Sequence, residues 1–210
     1  MELIKKYFTG LTEEQLDIFG KLYDSFKSWN DKINVISRKD FHNFYKHHVL
    51  HSLAIAKFTD FNKNTRILDV GTGGGFPGLP LAIVFPECQF TLVDSIRKKL
   101  KVINAICEEF NLKNINTLHT RIEAYDEKFD FVVSRAVTKF PDFVEWVSNN
   151  ISEKQNNKLT NGILYLKGGD LGNEIEPFKD KIKIHAISRY FSEDFFETKK
   201  ILYLPVESQQ

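Results

Sequence analysis

The segment Arg66-Ile-Leu-Asp-Val70, followed by Gly71-Thr-Gly-Gly-Gly-Phe-Pro-Gly78, constrains the fold more than any other part of the chain. A short aliphatic run reads as a buried strand. The glycines after it let the backbone turn sharply and let a ligand approach the main chain closely. Asp94 ends the next apolar run, 23 residues after Gly71. Strand, glycine loop, helix, strand and acid in this order describe an open α/β sheet with a binding site at the carboxyl ends of its strands.

The neighbouring pattern agrees. Short apolar runs at Arg66–Val70, Gln89–Asp94, Ile115–His119, Phe129–Val133 and Gly162–Lys167 alternate with helical periodicity at Gly78–Phe85, Ser95–Asn111 and Phe140–Asn150. Such alternation predicts a doubly wound parallel sheet. Two further runs, Ile182–Tyr190 and Thr198–Leu204, have no helix between them and predict a terminal antiparallel hairpin, giving seven strands. Residues 1–60 read instead as a helical extension to a domain over 61–210. Thr12-Glu-Glu-Gln15 has capping-box spacing, Leu16, Phe19, Tyr23 and Phe26 recur at helical intervals, and a second helix is predicted over Phe41–Phe58. Nineteen phenylalanines supply material for a sizeable core.

The loop suits two kinds of ligand. Gly73-x-Gly75-x-x-Gly78 matches the dinucleotide fingerprint formally, but Pro77 crowds the pyrophosphate approach. The register Asp69-x-Gly71-x-Gly73-x-Gly75 fits S-adenosylmethionine better. That cofactor has no phosphate and needs a close backbone and carboxylates. Asp69 is placed to compensate its ammonium end and Asp94 to grip its ribose.

Several stretches resemble the bacterial small-subunit rRNA guanine-N7 methyltransferases, also called glucose-inhibited division protein B. They are Trp29-Asn-x-x-Ile-Asn34, His48-Val-Leu-His-Ser52, Leu68–Pro80 with its Gly-Phe-Pro-Gly continuation, Thr91–Ser95, Phe129-Asp-x-Val-Val-Ser-Arg-Ala136 and Leu166-Lys-Gly-Gly169. The resemblance implies a Rossmann-like class I S-adenosylmethionine-dependent methyltransferase fold. It implies methylation of N7 of one guanine of 16S rRNA, guanine 527 of the 530 loop in the family, in the small subunit or an assembly intermediate, with S-adenosylhomocysteine as by-product. It also implies that Gly71, Phe76, Ile122, Glu123 and Arg135 contact the cofactor. Two departures stand out. The family's Leu-Asp-Ser is Leu50-His51-Ser52 here, and its hinge arginine is Lys39, with Arg38 one place earlier.

The chemistry is consistent with that reading. N7 of guanine carries a lone pair in the base plane and no proton, so proximity and orientation can suffice and no dedicated catalytic base is expected. Cys88 and Cys107 do not sit where a thiolate would meet a base. They have neither disulfide nor metal spacing, and no metal is expected. With no secretory or membrane-spanning apolar run, a cytoplasmic location is expected, and nothing demands more than a monomer. A formal net charge of +1 excludes a broadly basic nucleic-acid binder, so recognition of RNA must be local. Of the six arginines, Arg97, Arg121 and Arg135 fall at the ligand edge of the sheet, as does Lys167. Arg97 and Lys98 oppose the dipole of the helix they open, which is read either as a phosphate grip or as an ordinary solvated helix face. Lys167 is a candidate for phosphate or for the guanine O6. Arg38, Lys39 and His48 extend the candidate RNA surface from the helical region, with His48 also read as turned toward the interface with the main domain. A methyltransferase of a small molecule or protein, a non-catalytic nucleotide-binding regulatory module and a nicotinamide enzyme remain alternative readings.

Overall fold

A computed structural model describes residues 1–135 and 137–206. Seven strands form one sheet in the order β3-β2-β1-β4-β5-β7-β6. They are β1 Arg66–Val70, β2 Gln89–Asp94, β3 Ile115–His119, β4 Phe131–Arg135, β5 Gly162–Gly168, β6 Lys183–Ala186 and β7 Lys199–Pro205. The first five are parallel. β7 enters antiparallel between β5 and β6.

The central strands are apolar on both faces, as parallel strands covered on both sides must be. Ile67, Phe90, Leu92, Phe131, Val133 and Leu164 face α2 (Glu13–Asn30), α3 (His51–Phe58), α4 (Gly78–Val84) and α5 (Arg97–Glu109). Leu68, Val70, Val132, Ile163 and Tyr165 face α6 (Phe140–Val147) and the turns around it. The amino-terminal helices therefore share one core with the sheet. α1 (Glu2–Tyr7) reaches the segment before β7, where Lys6 and Tyr7 bond Glu193 at 2.9 Å.

α2 starts on the predicted capping box. The Gln15 N–H donates to the Thr12 hydroxyl, and the Thr12 N–H donates to the Gln15 side chain. Gln15 also donates to the carbonyl of Ile83, fastening α2 to α4. At the far end of α2, Ser25 donates to Glu109 of α5 at 2.6 Å, which accounts for an acid at an electrostatically unfavourable helix end.

Two expectations need correction. Strand four runs from Phe131 to Arg135, two residues later than predicted, because Phe129 is drawn into a separate bridge with Ile151. Arg135 thus ends the strand instead of following it. Ala136 lies outside the described residues. The predicted helix over Phe41–Phe58 is a 3-10 turn (Phe41–Asn43), a wider π-type turn (Phe44–Leu50) and then α3. Competing anchors explain this. Phe44 packs against Phe26 and Phe76, the Tyr45 hydroxyl donates to the carbonyl of Phe19, and both His47 and His48 bond Asp40. Local widening of this kind recurs at functional sites.

Candidate functional site

A cleft of about 490 Å³ opens at the carboxyl ends of β1, β2, β3 and β4. That edge is where ligands bind in open α/β sheets, and the volume suits a cofactor-sized molecule. Gly71 forms its floor. Its φ is +66°, and an added Cβ would lie 2.5 Å from the Val137 side chain across the cleft. Only glycine meets both conditions without strain.

Asp94, 5% exposed, ends β2 at the rim. One carboxylate oxygen accepts the Gly73 N–H at 2.9 Å and faces Lys99 at 3.5 Å. The other accepts the Ile96 N–H at 2.8 Å. The carboxylate thus ties the glycine loop to the start of α5 and retains lone pairs for a ligand. Ile122 and Glu123, on a short turn after β3, line the same cleft, as do Arg121 and Arg135.

Arg135 is a largely buried cation whose burial pulls its pKa down to about 10, so it stays charged at neutral pH. It donates to the His47 carbonyl at 3.0 Å and to His48 Nδ1 at 3.1 Å, and its guanidinium lies 5.3 Å from the centroid of the Phe76 ring. No carboxylate bridges it among the described residues.

Other candidates lie elsewhere. Asp69 is fully buried beneath the loop and does not line the cleft. Its Oδ2 accepts the Thr72 hydroxyl at 2.7 Å and the Gly78 N–H at 2.8 Å. Burial pushes its pKa up to about 7, against those hydrogen bonds. Its visible work is to hold the loop. Gly73 meets Asp94 through its backbone, and Gly75 packs against Leu79 at the start of α4. The Phe76 side chain turns away from the cleft into an aromatic cluster with Phe26, Phe44 and His48. Cys88 and Cys107 sit in apolar surroundings that push their thiols up to about 11 and about 12.

Among the proposed RNA contacts, Arg38, Lys39, Arg97, Lys98 and Arg121 are exposed. Two are not free. Lys167 is paired with Glu174, which also accepts the Phe140 N–H. His48 is held between Asp40 and Arg135. The residues that sequence reasoning missed are Trp146 of α6, Val137 and Ile96, which give the cleft apolar walls, and Lys99 beside Asp94. Trp146 projects from a helix remote in sequence, and only the tertiary fold brings it in. Ile96 belongs by helical spacing to the inward face with Leu100 and Ile103, yet it is 48% exposed at the start of α5, a placement that only the structure shows.

Buried imidazoles make stability pH-dependent. Burial, and then the Arg135 charge, push His48 down to about 4 and His51 well below its ordinary 6.5. On acidification below 6.5 the unfolded chain takes up protons at both rings that the folded chain refuses, so stability falls. Asp69 acts oppositely, since the folded chain keeps its proton up to about pH 7. Burial lowers His47 and His185 as well, so the histidines outnumber that one carboxyl and denaturant melts should show stability falling as pH drops below 6.5. Replacing His51 by Phe should flatten that limb. An unchanged slope would show that His51 does not carry it.

The strand order, the glycine loop and the cleft with its acid define the fold class: a class I S-adenosylmethionine-dependent methyltransferase fold. A precorrin-6y C5,15-methyltransferase from Geobacter metallireducens superposes with a TM-score of 0.57 at 12% identity, covering 83% of this chain and 92% of the other. A point mutant of MtNAS in complex with S-adenosylmethionine gives 0.57 at 10% identity, covering 91% and 76%. The chain belongs to the GidB family, rRNA small subunit methyltransferase G, whose model matches residues 15–202. Proteins called Ribosomal RNA small subunit methyltransferase G are 55% identical in Bacteroides thetaiotaomicron, covering 97% of this chain and 98% of that one, and 53% identical in Phocaeicola vulgatus, covering 98% and 99%. No described helix is long and apolar enough to cross a membrane.

Proposed function

We propose that this protein transfers a methyl group from S-adenosylmethionine to N7 of one guanine in 16S rRNA, the family's guanine 527, by direct in-line displacement. The observation that carries the reading is the cleft itself. It has a backbone floor at Gly71, a rim carboxylate at Asp94 and a cation at Arg135 with no carboxylate bridge among the described residues, in a chain of the rRNA methyltransferase family. These residues fit the cofactor. Asp94 would accept from the ribose hydroxyls, Ile96, Ile122 and Trp146 would cover the adenine, and Arg135 would meet the carboxylate. When bound, the cofactor supplies an electrophilic methyl on a sulfonium.

The chain's own groups then position the partners and exclude water. An acceptor nitrogen with no proton to lose asks for no catalytic base, so proximity and orientation carry the transfer. Phe76 and Asp69 serve the site from behind, by fixing the loop.

The deciding experiment maps N7-methylguanine in 16S rRNA from cells lacking this gene, before and after it is restored. The modification should be absent in the first and return in the second. Its persistence at every site in the deleted strain overturns the reading. Transfer to a small molecule or protein instead would support the alternative enzyme class.

Arg97 and Lys98 give a separate test. Both are exposed at the start of α5, where their charges oppose the helix dipole. Neutralising the pair should weaken RNA binding severalfold and lower the slope of log affinity against log salt by roughly two. An unaltered slope removes them from the RNA surface.

A further inference from the structure

Asp40 lies in the connection between α2 and α3, outside the cleft, yet three side chains converge on it. Its Oδ1 accepts from His47 Nδ1 at 2.6 Å and from the Asn43 amide at 3.1 Å. Its Oδ2 accepts from His48 Nε2 at 3.0 Å. The other nitrogen of His48 faces Arg135 Nη2 at 3.1 Å. A guanidinium only donates, so His48 Nδ1 must accept and the ring proton must sit on Nε2, pointing at Asp40. The tautomer follows from the network. At neutral pH the buried ring is uncharged and can play both parts. Two of the five guanidinium N–H groups are taken up by the helical extension, through His48 and the His47 carbonyl.

Building on the cofactor reading of the cleft, we infer that Asp40 is a positioning residue, which acts through His48 to fix how Arg135 presents its remaining N–H groups to the cofactor's carboxylate end. Loss of Asp40 frees the His48 ring to rotate or change tautomer. Arg135 then keeps its charge and loses its direction. The effect falls on the amino-acid end of the ligand alone, because the adenosine end is held by Asp94 and the apolar walls.

Two ligands separate those ends: S-adenosylhomocysteine carries the amino-acid group, and 5′-methylthioadenosine lacks it. Binding of both is measured by calorimetry to the full chain, with melting curves for each variant. Asp40→Ala should weaken S-adenosylhomocysteine about tenfold and leave 5′-methylthioadenosine within about twofold. Asp40→Asn keeps an acceptor for His48 and should restore most of the loss. His48→Phe keeps the packing on Phe76, removes both hydrogen bonds and should match Asp40→Ala. The double variant should be no worse than either single one, the signature of action in series. Equal loss of both ligands, an additive double variant, or an Asn variant as poor as Ala overturns the inference. Arg135→Ala separates the two readings. If it loses preference for S-adenosylhomocysteine while Asp40→Ala does not, only the positioning role fails. If the wild-type chain binds neither ligand, the cofactor reading fails and takes this inference with it.

Discussion

Asp94→Ala is expected to reduce affinity for S-adenosylhomocysteine at least about a hundredfold. Charge-assisted hydrogen bonds contribute about 1.5–3 kcal/mol each, and two ribose hydroxyls would meet this carboxylate. The substitution also strips the acceptor from the Gly73 and Ile96 N–H groups, which tie the glycine loop to the start of α5. Both losses act on binding and little on the core, because the cut bonds lie at the rim. Asp94→Asn retains one acceptor oxygen and should fall about tenfold. Calorimetry with the folded variants decides the matter. An alanine variant that binds within about threefold of wild type would remove Asp94 from the ribose site.

The second large effect is on stability and lies far from the cleft. Gly162 begins β5 opposite Pro205 of β7. A Cβ on Gly162 would stand 2.3 Å from the Leu204 carbonyl oxygen and 2.9 Å from Pro205 Cα. Both obstacles are backbone, so neither can rotate aside. Gly162→Ala must therefore push β7 away from the strand that holds it. Over-packing of this kind costs about 3 kcal/mol or more, which lowers Tm by roughly 6–12 °C for a domain of this size. Cofactor affinity in the folded fraction should hardly change. A Tm within about 2 °C of wild type, on a scale of about 2–4 °C per kcal/mol, would show that the strand pair yields more easily than its geometry implies.

Much of this was legible in residue order. β1, β2 and β3 have the predicted limits; the first two are short, mostly apolar runs closed by glycine or acid, and β3 mixes apolar and polar residues. The capping box of α2 was readable because it is a local device. Errors arose where distant partners outcompeted local pattern. Phe129 looks like the start of a strand but bridges Ile151. Phe41–Phe58 has helical periodicity, yet the aromatic cluster and the demand of Asp40 for two histidines widen its middle turn. At the cleft, Gly71, Asp94, Arg121 and Arg135 stand where the glycine loop and counted strand ends put them, whereas Ile122 and Glu123 were implied by the family resemblance alone. Lys167 was assigned to RNA, and His48 to RNA or the domain interface, because a sequence shows a charge or a ring without its partner. The structure supplies those partners, Glu174 and Asp40. Trp146 was invisible because a tryptophan on an amphipathic helix looks the same whether it faces a core or a ligand.

β7 pairs with β5 along seven residues and with β6 along four. It leaves the ribosome after every other strand of the sheet, and it fills an interior place among them. Until Lys199–Pro205 emerge, a nascent chain holds β5 as an open edge carrying Leu164 and Leu166, and β6 has no neighbour. Open apolar edges of this kind recruit other strands or chaperones. A stop codon or stalled translation anywhere before Lys199 should therefore yield an aggregating or chaperone-held product, not a smaller working enzyme.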